Sequence, residues 1–162
     1  MKYPDRMRRR RKFLVCVDDT PECRVALSYA SRRARRSHGQ IMLLRVIELE
    51  QGGEDWLAIA ERMRAEAREE AERLLQGLAG EISAKVEIMP ELIVREGKWY
   101  DEIMKLIGED PHVRLLVLGA GTGPEGPGPL VSALAGKMPT TMRIPVTVVP
   151  GTLTEEQIDD LV

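Results

Sequence analysis

The chain reads as a single three-layer α/β/α domain on a mainly parallel five-stranded sheet. Three observations predict this. Five short runs rich in Val, Ile and Leu alternate with four helical stretches. Several of those runs are apolar throughout, as expected of strands covered on both faces. And 162 residues suit one domain with a real core, with no internal repeat or linker to divide it. Strands alternating with helices imply right-handed crossovers between parallel neighbours.

Each element has its own signal. Residues 12–18 form the first strand, and Thr20 with Pro21 is predicted to cap and begin the first helix. That helix should run to about Ser37 with Ala26, Ala30 and Ala34 inward, ended by His38-Gly39. "IMLLRVIEL" (41–49) is the second strand. From Glu54 to about Gly80, Trp56, Ala60, Met63, Ala67, Ala71, Leu74 and Leu78 make a helical stripe at steps of three and four. Residues 85–94 are predicted as a third strand, with Pro90 arguing for an edge position. Trp99, Ile103, Leu106 and Ile107 mark a third helix, and "VRLLVLGAG" (113–121) is a fourth strand entering a glycine loop. A fourth helix from about Leu130, disturbed by Pro139, precedes a last strand at 145–151. This gives a basic arm (1–11, its charge running on into Lys12), a domain (12–151) and an acidic tail (152–162).

Composition narrows the function classes. Hydrophobic residues are 43% and charged residues 31% of a chain with net charge -2, so nothing global argues for nucleic acid as a partner. Cys16 and Cys23 have no metal or Cys-x-x-Cys spacing, and His38 and His112 stand alone at element boundaries. No apolar run approaches the ~20 residues that span a bilayer, and the five apolar residues before Asp18 are too few for a signal peptide. The expectation is a cytoplasmic protein with no membrane partner.

In such sheets ligands sit beyond the carboxyl ends of the strands, where strand order reverses. Asp18, Asp19 and the loop at 119–128 are all at carboxyl strand ends. "VDDTPECRVAL" is similar to the opening of a bacterial receiver domain, whose paired acids bind Mg²⁺ beside a phosphoacceptor Asp. That chemistry also needs an Asp ending the third strand and a Lys after the fifth. Here those strands end "ELIVREG" and "VTVVPG", so the receiver reading fails.

An ordered set of motifs over about residues 12–150 resembles the universal stress protein family instead: "VCVDDTPECRVALSYA", a long amphipathic second helix, "IVREGKWYDEIMKLI", "LLVLGAGTG" and "RIPVTVVP". The resemblance implies an adenine nucleotide alpha hydrolase-like fold with strand order 3-2-1-4-5. It also implies an adenine nucleotide, AMP or ATP, held by a Gly-x-x-Gly, nine-residue, Gly-Ser/Thr loop whose backbone N–H groups cradle phosphate at a helix start. Gly119 matches the first Gly, and the second falls on Thr122 with Gly121 and Gly123 alongside. The closing pair falls on Ser132 and Ala133. Asp18 matches the Asp that contacts the nucleoside, Asp19 stands beside it, and Val46 lies near the segment that meets the base. Family members commonly dimerise through the last strand, here Val146, Thr147, Val148 and Val149; the implied partner is a second copy, its rim completed by the acidic tail and the basic arm.

The loop departs from the pattern. Pro124, Pro127 and Pro129 remove three backbone donors, and no Lys or Arg occurs from Gly119 to Ser132. Glu125 at about 4 Å from a phosphate costs roughly 1–4 kcal/mol. The sequence therefore leaves open a regulator binding AMP at least as well as ATP and a nucleotide-free dimeric signalling protein of the same fold. A slow nucleotide hydrolase is weakened by the lack of a general base held by a partner. Asp19 also has a structural reading, as a hydrogen-bond acceptor for the start of the first helix.

Overall fold

The computed structural model describes residues 10–49 and 56–162, without the side chains of residues 137–141. The expected helix start at Glu54 and the arm residues Arg8 and Arg9 lie outside the described residues. Five strands, β1 (Lys12–Cys16), β2 (Gln40–Ile47), β3 (Glu91–Glu96), β4 (Val113–Ala120) and β5 (Val146–Pro150), form one sheet in the order β3-β2-β1-β4-β5. Every pairing is parallel. Between and after them run α1 (Glu22–Ser37), α2 (Leu57–Val86), α3 (Trp99–Glu109), α4 (Pro129–Thr141) and α5 (Glu155–Leu161).

The pleat of β1 divides the core. Phe13, Val15 and Val17 face a cluster with Ala26, Ala30 and Ala34 of α1 and with Leu75, Leu78 and Ile82 of α2. Leu14 and Cys16 face the opposite cluster, with Ile103, Leu106 and Ile107 of α3 and Leu134 of α4. Both faces of the central strands are thus closed to water, which is why these runs are apolar without alternation. The edges are as the sequence predicts: β3, after Pro90, and β5 each pair on one side only.

Two boundaries differ from the expectation. The second helix does not stop near Gly80 but continues to Val86, where Ile82 and Val86 extend its buried row. The third strand begins only at Glu91, after Pro90. Glu87, at φ 60°, ends the helix in the left-handed region that a glycine usually fills; the signals for the stop are Lys85 in the last turn and Pro90 three residues beyond. The stripe expected to face inward is buried only in its second half. Arg64 and Arg68 pair with Glu96, the last residue of β3. The turns before them outrun the sheet and leave Trp56, Leu57, Ile59 and Met63 exposed.

The acidic segment is not a tail but α5, folded back on α1 of its own chain. Ile158 is buried, Arg32 pairs with Glu155 and Asp159, Ser28 donates to Glu155, and Arg36 donates to the Val162 carbonyl. Glu155 and Asp159 are thus paired to the Arg-rich face of α1 within the chain. Lys12 likewise belongs to β1, where it pairs with Glu91 and Asp110.

Candidate functional site

Beyond Cys16 the chain leaves the sheet toward α1, and β1 has β2 on one side and β4 on the other. Its carboxyl end is the switch point of the strand order, where a crevice opens. Asp18 stands there, half-buried. Its Oδ1 accepts from the Thr20 backbone N–H (3.1 Å) and the Thr20 hydroxyl (2.5 Å). The expected roles are thereby rearranged. Thr20 does not cap the helix, whose N-cap is Pro21 with no side-chain bond. Asp18 shapes the turn, and Asp19 is exposed and takes Arg45 Nη2 on both oxygens (2.9 and 3.0 Å). Arg45 also donates from Nη1 to the Val17 carbonyl (3.1 Å), tying β2 across the end of β1.

Val46 lies where β2 runs past its neighbour. Pairing with β1 stops at Cys16 and Leu44, whereas pairing with β3 continues to Ile47 and Glu96. The Leu44 carbonyl accepts from Val17 and that of Ile47 from Gly97, so alternation turns the Val46 backbone toward the crevice. The Val46 side chain is buried below.

Gly119 is on β4, beside the end of β1. A Cβ there would lie 2.5 Å from the Glu22 carbonyl oxygen, so this glycine admits the first turn of α1. Gly151 is pressed by the same residue, its Cβ position being 2.5 Å from Glu22 Cγ. At Gly121 a Cβ would meet the Gly126 carbonyl at 3.0 Å and Glu22 Oε1 at 3.2 Å. Glu22 is thus wedged among three glycines, with its carboxylate against the loop. Sequence reasoning did not single it out; the signal was an acidic residue in the first helical turn, normally explained by the helix dipole alone.

The loop after β4 closes on itself. Gly121 N–H donates to the Pro127 carbonyl (3.1 Å), Gly126 N–H to Gly123 (3.2 Å) and Ser132 N–H to Gly128 (3.1 Å). Gly126 and Gly128 sit at φ 90° and 104°, in the region that glycine tolerates. Thr122, Gly123, Ser132 and Ala133 are exposed. A groove of 760 Å³ lies elsewhere, between α1, α2 and α5, and no residue of the crevice lines it. Among the described residues no group of three or more His, Cys, Asp or Glu side chains is placed to hold a metal ion, and no helix is long and apolar enough to cross a membrane.

The two thiols are buried in the floor below Asp18. Burial first, and then the Asp18 carboxylate, raises Cys16 well above its ordinary value and Cys23 to about 11. Neither is a nucleophile at neutral pH.

A parallel five-stranded sheet in this order, with helices on both faces and a crevice between an Asp-ended β1 and a glycine loop after β4, defines a doubly wound α/β fold. The family model described as the universal stress protein family matches residues 9–150, and the chain belongs to that family. Solved structures agree on the fold. Universal stress protein UspA from Lactobacillus plantarum is 17% identical with a TM-score of 0.74, over 86% of this chain and 97% of that one. A universal stress protein in complex with cAMP is 16% identical with a TM-score of 0.60, over 88% and 98%. An Arabidopsis thaliana family protein with AMP bound is 18% identical with a TM-score of 0.59, over 86% and 91%. No curated protein sequence matches.

Proposed function

We propose that the chain is a stress-response regulator of the cytoplasm that takes an adenine nucleotide at the crevice, AMP at least as well as ATP. Asp18 Oδ2, which accepts no hydrogen bond among the described residues, is available to a ribose hydroxyl. The Val46 backbone meets the base, and the segment 119–123 approaches the sugar and first phosphate. The observation that carries the preference is the state of the loop donors. Three positions are proline, and the N–H groups of Gly121, Gly126 and Ser132 are already bonded within the loop. Glu22 Oε1 and Glu125 add negative charge on the side a longer phosphate chain would occupy. Relatives of this fold described with AMP and with cAMP support a ligand with a single phosphate.

Titration calorimetry of the purified chain tests this directly. AMP should bind no more weakly than ATP, and Mg²⁺ should not help. Asp18→Ala should weaken AMP by about tenfold, the size of one lost hydrogen bond of this kind. Tight, Mg²⁺-dependent ATP binding would overturn the reading.

The self-closed loop also favours a second reading, a dimeric signalling protein that needs no nucleotide. In either case the partner is a second copy, paired through β5. Val148 stands out from this edge, 43% exposed, while Val149 is buried and Val146 and Thr147 are half-buried. Mass spectrometry of ligand released from the native protein separates the two readings, since only the first expects an adenine compound.

A further inference from the structure

We propose that Arg45 is a positioning residue that keeps the backbone of Val46 open to a base; the assignment rests on the nucleotide reading given above. In a regular parallel ladder, each residue that bonds across donates to one partner residue and accepts from the partner residue two further on. Val17 N–H donates to the Leu44 carbonyl (2.8 Å), so the regular donor to the Val17 carbonyl is the Val46 N–H. That bond is missing, because pairing between β1 and β2 ends at Cys16 and Leu44. The Val17 carbonyl accepts instead from Arg45 Nη1 (3.1 Å). Among the described residues, neither the N–H nor the carbonyl of Val46 is bonded on the β1 side, although Val46 is only 4% exposed. Buried backbone groups left off a ladder are rare, and these two face the crevice.

Three features hold the exchange of partners in place. A bond from a guanidinium is charge-assisted and about twice as strong as one between neutral groups, so Arg45 takes the Val17 carbonyl in preference to Val46. Asp19 grips Arg45 Nη2 on both oxygens (2.9 and 3.0 Å), which fixes the guanidinium across the end of β1. β2 keeps its course meanwhile, since its pairing with β3 runs on to Ile47 and Glu96. Val46 is therefore still in register with Val17. Without the Arg45 donor, the sheet would close by one more bond across the place where the base is read.

The test uses the full chain, isotope-labelled for NMR. Amide exchange at Val46 is followed without nucleotide, and AMP affinity is measured by calorimetry. In Arg45→Ala the Val46 amide should exchange at least about tenfold more slowly than in the native chain, and AMP should bind about tenfold more weakly. Arg45→Lys, whose ammonium still donates to a carbonyl, should recover part of both effects. Urea midpoints check that each variant is folded. Unchanged exchange at Val46 in Arg45→Ala overturns the assignment even where AMP binding falls, because Arg45 would then be only a tie between strands. AMP binding that survives Arg45→Ala overturns this assignment alone. A native chain that binds neither AMP nor ATP overturns the nucleotide reading, and this assignment with it.

Discussion

At Gly119 two explanations meet at one atom. The family pattern makes it the first glycine of a nucleotide loop, while the packing makes it the notch that admits α1. The Gly119→Ala variant tests the packing alone. Its Cβ would sit 2.5 Å from a backbone carbonyl, which no rotamer change relieves. The expected loss is about 1–3 kcal/mol in urea unfolding, with the fold retained. The same scale shows how little of the polar detail was legible. Asp18 and Asp19 lie beyond the carboxyl end of β1 as the sequence predicts, but Thr20, expected to cap α1, donates to Asp18 instead, and Asp19 depends on Arg45, brought in from the next strand, a partner that no local pattern announces. The thiols give a second prediction. A raised pKa means the folded state keeps its proton where the unfolded state would lose it. Stability is therefore undiminished below the ordinary thiol value of 9.0 and falls as pH rises from there through about 11. Urea midpoints measured at neutral pH and at about pH 10 should show this fall, and it should lessen in Cys23→Ser. Iodoacetamide at neutral pH should label neither thiol until the protein unfolds.

Among the elements, the strands and helices over the sheet were legible because burial on two faces leaves an apolar signature. Boundaries set by other forces were not. At the end of α2 a glutamate takes the conformation usually left to glycine, so the strongest stop signal is missing and only Lys85 and Pro90 mark the end. The exposed turns of α2 keep the periodicity of a buried helix although the sheet ends beneath them. For α5 a signal did exist. Thr154 and Gln157 form a capping box, each side chain bonding the other's backbone N–H, and the Thr-x-x-Gln spacing was visible among the acidic residues. Ile158→Ala should therefore release α5 without unfolding the domain. Truncating a buried Ile costs about 2–5 kcal/mol where surroundings are rigid, more than a seven-residue helix can supply alone. Hydrogen exchange should show protection lost at residues 155–161 and kept in β1 and β4; unchanged protection would mean the salt links alone hold α5.

At the scale of the molecule, both edge strands present an unpaired row of backbone groups; β3 is tied to α2 at its end through Glu96 and exposes Leu92, and β5 presents Val148 to solvent. Pro145 and Pro150 confine any added ladder to the four residues between them. Light scattering at micromolar concentration should report about twice the 18.2 kDa chain mass. Val148→Lys should move it toward monomer; a native monomer, or a dimer indifferent to that charge, would place the interface elsewhere. The docking of α5 on α1 has a further meaning in time rather than in space. Ser28 and Glu155 are 127 residues apart, so this face of α1 stays unfinished until α5 has been translated. At ribosomal speeds of about 5–20 residues per second, that delay is on the order of ten seconds. A nascent chain carries Arg32 without its α5 carboxylates throughout that interval.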